Sequence, residues 1–358
     1  MKKTVTRLAD GRELLYYDSR DDVVRDAVDR RPPESTATTS EIRHDRLLGD
    51  AVAVASHRQG RTYHPPVGEC PLCPSRGGRL SEIPDSDYDV VVFENRFPSL
   101  AGGNGRCEVV CFTPDHDASF AALTEEQAAL VLEAWTDRTA ELAERPQVRQ
   151  VFCFENRGAE IGVTLGHPHG QIYAYPFVTP RTALMQRSVA AHRAATGRNL
   201  FDDIVASELE SAARVVLEGE HWVAFVPYAA HWPYEVHLYP RRRVPDLRAL
   251  DDAARTEFPQ VYLELLRRFD RIFGADQPPT PYIAAWHQAP FDDGTHDGGT
   301  RDERGERDDF ALHLELFTVR RTSGKLKFLA GSESGMSVFI NDVPPERAAQ
   351  RLREVASE

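Results

Sequence analysis

Asp87–Leu123 reads DYDVVVFENRFPSLAGGNGRCEVVCFTPDHDASFAAL, and His221–Leu250 reads HWVAFVPYAAHWPYEVHLYPRRRVPDLRAL. Both run in one order: a strand rich in Val and aromatic residues, an aromatic–Pro loop, a second strand, then Pro and the start of a helix. The match continues downstream. Thr124–Glu144 and Ala253–Gly274 carry apolar residues at helical spacing, the first behind a capping Thr. After the first helix come two strand patterns, VRQVFCFENRG at 148–158 and GQIYAYPFV at 170–178, flanking a Gly-rich turn. After the second come YIAAWHQAPFDDG at 282–294 and FALHLELF at 310–317. The repeat of roughly 130 residues is far beyond solenoid periods. It predicts an α+β fold from a duplicated unit, with antiparallel strands and a helix on one face rather than alternating βαβ.

The copies are placed at 43–195 and 196–358, behind an N-terminal extension, 1–42, whose stretch RRPPESTATTSE reads as a mobile loop. RLLGDAVAVASHR, 46–58, looks like a strand with a turn before it. The charged, Gly-rich run Asp292–Asp309 is expected to be an exposed, mobile insertion without chemistry of its own. A net charge of -13 disfavours non-specific nucleic-acid binding, which needs a surplus of Lys and Arg on one face. No apolar run approaches the ~20 residues needed to span a bilayer. The start, MKKTVTRLADGRELLYYD, has lysines but no apolar core after them, so a cytoplasmic protein is expected. Of the five cysteines, Cys70-Pro-Leu-Cys73 is the pair that a reducing compartment would use as a metal knuckle. Cys107, Cys111 and Cys153 lie in strand patterns and are expected in the core, while Trp222, Trp232 and Trp286 are expected to fill core or interface volume.

Between two predicted strands lies Gly166-His167-Pro168-His169-Gly170-Gln171. In an extended segment residues two apart face one side, so His167, His169 and Gln171 converge. An imidazole with one nitrogen held and the other exposed is a good nucleophile at neutral pH and a good leaving group from phosphorus. A glutamine cannot act as a base but donates to a phosphoryl oxygen. Two thiolates with two imidazoles make a closed tetrahedral zinc shell, and His116 and His167 are the candidate imidazoles.

Several motifs in one order resemble the galactose-1-phosphate uridylyltransferases of the histidine-triad superfamily. They are SHRQGR (56–61), CPLC (70–73), FENRFPSL (93–100), FTPDH ending at His116, FENRG (154–158), Gly162–Thr164, HPHGQIYA, EHWVAFVPY (220–228), WHQAPFD from Trp286 and KFLAGSE (327–333). The resemblance covers most of the chain beyond about residue 43. It implies duplicated histidine-triad-like units whose antiparallel sheet forms a half-barrel. It also implies transfer of a uridylyl group from UDP-glucose to galactose 1-phosphate through a covalent intermediate on His169, with Gln171 against the phosphoryl group. By the same resemblance Arg58 and Arg61 would contact phosphates, Asn95 would lie near the uridine, and Asn156, Gly162 and Thr164 would line the sugar-phosphate path. Lys327, Phe328, Ser332 and Glu333 would reach the hexose from the partner subunit of a homodimer. UDP-galactose and hexose 1-phosphates would complete the ligand set.

Structural zinc on Cys70, Cys73, His116 and His167 is implied too. A second metal site of some members has here only His287, His313 and Glu315, with Met185 near the position of a missing carboxylate. Those histidines are therefore expected as hydrogen-bonded core residues. Two other functions fit parts of the pattern. One is a nucleotide-sugar or dinucleoside-polyphosphate phosphorylase or adenylyltransferase of the same superfamily, against which the KFLAGSE block speaks. The other is a zinc-stabilised nucleotide-binding module without catalysis.

Overall fold

The computed structural model describes residues 1–32, 39–60, 63–291 and 307–357. Fifteen strands lie among them: β1 Lys2–Arg7, β2 Glu13–Asp18, β3 Glu41–His44, β4 Ala51–Val54, β5 Val90–Glu94, β6 Arg106–Cys111, β7 Gln150–Arg157, β8 His169–Tyr175, β9 Val215–Glu218, β10 Trp222–Phe225, β11 Val236–Pro240, β12 Tyr282–His287, β13 His313–Phe317, β14 Arg320–Thr322 and β15 Lys325–Leu326. The helices are α1 Glu125–Ala143, α2 Pro180–Thr196, α3 Leu200–Ser211, α4 Asp252–Arg271, α5 Gly331–Met336 and α6 Pro345–Glu354. The chain forms two compact units. The first holds Met1–Cys153 and Thr164–Ala183 with Pro290 and Phe291; the second holds Phe154–Val163, Leu184–Ala289 and the described residues from 307 on. Among the described residues no helix is long and apolar enough to cross a membrane.

In the first unit the strands run β1-β2-β5-β6-β8, and each of these neighbours pairs antiparallel. Register gives the sheet two distinct faces. One carries the rows Leu14–Phe93–Val109–Gln171 and Tyr16–Val91–Cys111–His169. The other carries Leu15–Val92–Val110–Gly170 and receives α1. Helix α1 begins at a reciprocal cap: Gln127 N donates to Thr124 Oγ1 and Thr124 N donates to Gln127 Oε1. Its Arg138 reaches the fully buried Glu108 of β6 through Nε at 2.9 Å and Nη2 at 2.8 Å, while Arg106 Nε donates to the same carboxylate at 2.6 Å. The two guanidiniums hold that carboxyl below its ordinary range against its burial.

The leading segment, expected as an extension, contributes β1 and β2. Leu14-Leu15-Tyr16-Tyr17 is buried on both sheet faces, so it has neither the alternation of a half-buried strand nor the period of a helix. β3 and β4 make a separate hairpin around the turn at Asp45–Asp50. The insertion at 292–306 and the loop at 33–38 lie outside the described residues.

In the second unit the order is β12-β13-β11-β10-β9, with the end of β7 pairing antiparallel to β12. Its helix α4 starts at Asp251, whose side chain accepts from Ala254 N at 2.9 Å. Phe258 of α4 packs against Trp222 and Trp286. Each unit thus carries an antiparallel pair, β5–β6 or β10–β11, followed by a long capped helix, and in the second unit the pair β12–β13 follows that helix.

Glu155 of β7 shares the Trp286 side of this sheet and is buried, accepting from Tyr282 Oη at 3.0 Å. Burial raises its pKa to about 7, with Arg157 opposing. A carboxyl whose folded pKa lies above its unfolded value of 4.5 contributes stability that is complete below that value and is lost as pH rises towards 7. Glu155→Gln is therefore expected to flatten that decline, and at pH 8 to raise stability by up to about 3 kcal/mol. Denaturant titrations of both proteins from pH 5 to 8 check this; parallel pH profiles would contradict it.

Candidate functional site

The face of the first sheet opposite α1 is covered by the segment around the two cysteines. Cys70, Leu72, Cys73, Ile83 and Tyr88 pack in one cluster with Leu14, Tyr16, Val91, Phe93, Val109 and Cys111. The apolar cover lays Cys70 and Cys73 beside the turn that enters β8. One ligand atom from each of Cys70, Cys73, His116 and His167 lies within 4.8 Å of the others. Cys73 Sγ is 3.3 Å from His116 Nδ1 and 3.4 Å from His167 Nδ1. The other nitrogen of His167, Nε2, faces the carbonyl oxygen of Thr113 at 2.8 Å, which assigns it the proton and leaves Nδ1 as a donor to a cation. The donor set and its spacing fit a tetrahedral Cys2His2 metal site. Burial pushes the Cys70 thiol up to about 11 and the His167 ring down to about 4, so a cation there meets neutral imidazole and must offset the desolvation of thiolate.

His169 opens β8 two residues further on. Its Nδ1 donates to the carbonyl oxygen of His167 at 2.8 Å, so Nε2 carries the lone pair. Burial lowers its pKa, with that hydrogen bond opposing, and the ring stays neutral at pH 7. His169, Gln171 and Tyr173 alternate with the buried Gly170 and Ile172, so all three stand on the cysteine-covered face. The charge of Arg58 acts on the same strand, partly offsetting the rise that burial imposes on the Tyr173 hydroxyl. Its Nη1 donates to Phe97 O at 2.7 Å, and it borders an open cleft with Ser56, Gln59 and Tyr63. Asn95 stands in the neighbouring turn, where its Oδ1 accepts from Phe97 N at 2.8 Å. The carbonyl of Thr164 accepts from His64 N at 2.9 Å. Arg61 lies outside the described residues.

The remaining expected residues belong to the second unit. Asn156 is registered against Ile283 on the sheet face away from α4. Gly162 has φ +84°, the left-handed conformation that glycine takes without strain. Lys327 and Glu333 are engaged with each other, Nζ donating to Oε1 at 2.8 Å, and the lysine holds that carboxyl down at about 2. Ser332 Oγ donates to Val338 O at 2.8 Å, and Phe328 is 71% exposed.

The second unit also has a buried cluster on one strand face. His237, Glu315 and Ala285 form one cross-strand row, and His313 faces His287. Glu315 Oε2 lies 3.3 Å from His287 Nε2, while its Oε1 lies 3.5 Å from His237 Nε2 and 3.8 Å from His313 Nε2. Glu235 Oε1 is 2.9 Å from His237 Nε2. His313 Nδ1 donates to Ala311 O at 2.9 Å. His287, His313 and Glu315 are mutually close enough to hold a metal ion, as are Glu235, His237 and Glu315.

The family described as galactose-1-phosphate uridyl transferase, N-terminal domain, matches residues 99–179, and its C-terminal domain matches residues 185–358. A galactose-1-phosphate uridylyltransferase of Streptomyces lividans is 69% identical over 99% of this chain and 98% of its own length. The chain belongs to the galactose-1-phosphate uridylyltransferase family. It is an enzyme of the nucleotidyltransferase class. The Thermotoga maritima galactose-1-phosphate uridylyltransferase is 35% identical, over 89% of this chain and 99% of its own. A solved structure of a uridylyltransferase superposes with a TM-score of 0.75 at 30% identity, covering 88% of this chain and 98% of that one.

Within this uridylyltransferase-family chain, sequence reasoning misses three residues of the two clusters. Tyr88 reads only as part of a strand pattern, yet its hydroxyl is 2.9 Å from His167 Nε2. Glu235 and His237 stand alternately in PYEVHLYP, a signal for one strand face that carries no known ligand spacing.

Proposed function

We propose that this chain exchanges a uridylyl group between UDP-glucose and galactose 1-phosphate by double displacement on His169. The observation that carries the reading is the bond from His169 Nδ1 to the His167 carbonyl, which fixes the tautomer and leaves Nε2 as the nucleophile. In the first half-reaction Nε2 attacks the α-phosphorus of UDP-glucose. A nitrogen–phosphorus bond forms, and the phosphorus–oxygen bond to glucose 1-phosphate breaks with its electron pair on the departing oxygen. In the second half-reaction a phosphate oxygen of galactose 1-phosphate attacks the same phosphorus, and the pair returns to Nε2. No proton is consumed in either half, so positioning and charge stabilisation suffice.

Gln171, on the same strand face two residues on, is assigned to the phosphoryl oxygens, with Arg58 and Arg61 on the phosphates and Asn95 near the uridine. Asn156, Gly162 and Thr164 are assigned to the sugar-phosphate path. Phe328, Ser332, Lys327 and Glu333 are assigned to the hexose side of a partner subunit, with the Lys327–Glu333 pair shaping the loop. The exposed Phe328, Leu329, Met336, Val338 and Ile340 around that loop support a homodimer. Cys70, Cys73, His116 and His167 would hold zinc, which when bound fixes the turn before His169 and takes no part in the transfer. The five free cysteines support a reducing, cytoplasmic setting. The cluster around Glu315 is read as a histidine–carboxylate network of the core.

The two units are read as copies of one histidine-triad-like plan. In support, His169 and His313 each open a strand and each turn Nδ1 to the carbonyl two residues back.

His169→Ala is expected to abolish exchange of labelled glucose 1-phosphate into UDP-glucose, with a fall of at least about 10⁴-fold, while the unfolding midpoint and zinc content stay unchanged. Near-wild-type exchange in that variant would overturn the reading. Comparing UDP-glucose with ADP-glucose, and galactose 1-phosphate with inorganic phosphate, is expected to favour the uridine and hexose-phosphate arms. Chelation or Cys73→Ala is expected to remove zinc by elemental analysis and lower turnover by about 10–100-fold, with added zinc restoring only the chelated protein.

A further inference from the structure

A buried hydroxyl, distinct from the residues assigned to substrate or metal, stands between the cysteine turn and the nucleophile loop. Tyr88 is 2% exposed. Its Oη is 2.9 Å from His167 Nε2, 2.7 Å from the carbonyl oxygen of Thr113 and 3.2 Å from that of Leu72. Leu72 lies between Cys70 and Cys73; Thr113 follows the end of β6, three residues before His116. A single phenol oxygen therefore lies within hydrogen-bond reach of all three chain segments that supply the Cys2His2 donors.

The donor count settles the directions. Two carbonyls within reach of the phenol can only accept, so its one proton goes to one of them. The His167 Nε2–H then divides between the Thr113 carbonyl at 2.8 Å and the phenol oxygen. Behind the ring, the His167 carbonyl accepts Nδ1–H of His169. Hydrogen bonds thus run from the cysteine turn through Tyr88 and the His167 residue to the His169 imidazole. A shift of the whole His167 residue would break the bonds of its ring to Tyr88 and Thr113 and move the main-chain oxygen that accepts from His169.

We infer that Tyr88 is a positioning residue for the transfer: it holds the His167 ring and thereby the main-chain acceptor that aims His169 at phosphorus. The inference rests on His169 being the nucleophile. Tyr88→Phe removes one oxygen and keeps the ring that fills the core, so the cover over the sheet persists.

The test is rapid-quench release of glucose 1-phosphate from UDP-glucose without acceptor, expressed per zinc-bound chain, for wild type and Tyr88→Phe. The expected result is a variant release rate about 10–100-fold slower, as for loss of a hydrogen-bond partner behind a metal ligand, with UDP-glucose KM in steady-state exchange within about twofold. The visible bands of the cobalt-substituted variant should shift as well, because the His167 ring keeps the Thr113 carbonyl but loses the phenol that shares its Nε2–H. A wild-type rate per zinc in the variant overturns the inference and leaves the covalent reading standing. No release from wild type overturns both. A second measurement needs no variant: nitrogen NMR of the histidine-labelled zinc protein is expected to show His167 with a protonated Nε2 and metal on Nδ1, and metal on Nε2 instead would equally overturn it.

Discussion

One hydrogen bond, from the Nδ1 of His169 to the main-chain oxygen of His167, is the constraint on which the proposed transfer depends. Imidazole has two nitrogens and, when neutral, one proton, so engaging Nδ1 as a donor commits Nε2 to the lone pair. The acceptor belongs to a residue whose own ring is tied on both sides, by Cys73 and by the Thr113 carbonyl with Tyr88. In the proposed reading, ligand geometry and nucleophile geometry are thereby one constraint carried by three consecutive residues. In the proposed reaction an acidic chain of net charge -13 has to gather cations locally for a dianionic diphosphate, and Arg58, whose charge acts on Tyr173 of β8, is one candidate.

The scaffold divides the labour between two sheet faces. On one face of the first unit, α1 and the Glu108–Arg138–Arg106 cluster bury charge in satisfied pairs. On the other, an apolar patch from Leu14 to Cys111 seats the cysteine segment. The second unit repeats the arrangement, with aromatic packing against α4 on one face and the histidine–glutamate cluster on the other. The same strand-opening histidine geometry ends differently in each. In the first unit Gln171 follows two residues after His169; in the second Glu315 follows two residues after His313, and three imidazole nitrogens lie within 3.8 Å of its carboxylate.

Much of this is legible in the sequence because it is local. Alternation within HGQIYAY places His169 and Gln171 on one face, and the capped helix at Thr124 needs only its own residues. The Cys70–Cys73 pair and His167 carry recognisable spacing, although assembling them with His116 needs the family pattern. What escapes is what depends on register between distant strands. Tyr88 becomes a ring holder only because the segment bearing it folds back over β6 and β8, and nothing in SDYDVVV announces that. Glu235 and His237 join Glu315 through the β11–β13 pairing, some eighty residues away in the chain. The leading strands escape for the opposite reason: Leu14–Tyr17 is uniformly apolar and has no period to read. Lys327 and Glu333 read as ligands of a hexose, whereas within this chain they first satisfy each other.

The claim that His169 carries the nucleotide is tested most directly by peptide-resolved mass spectrometry of the protein after brief exposure to UDP-glucose with no acceptor present. One uridylyl group per chain is expected, on the peptide that contains His167-Pro168-His169, lost on adding galactose 1-phosphate. An unmodified protein that nevertheless turns over, or a uridylyl group mapped to any other residue, would contradict it.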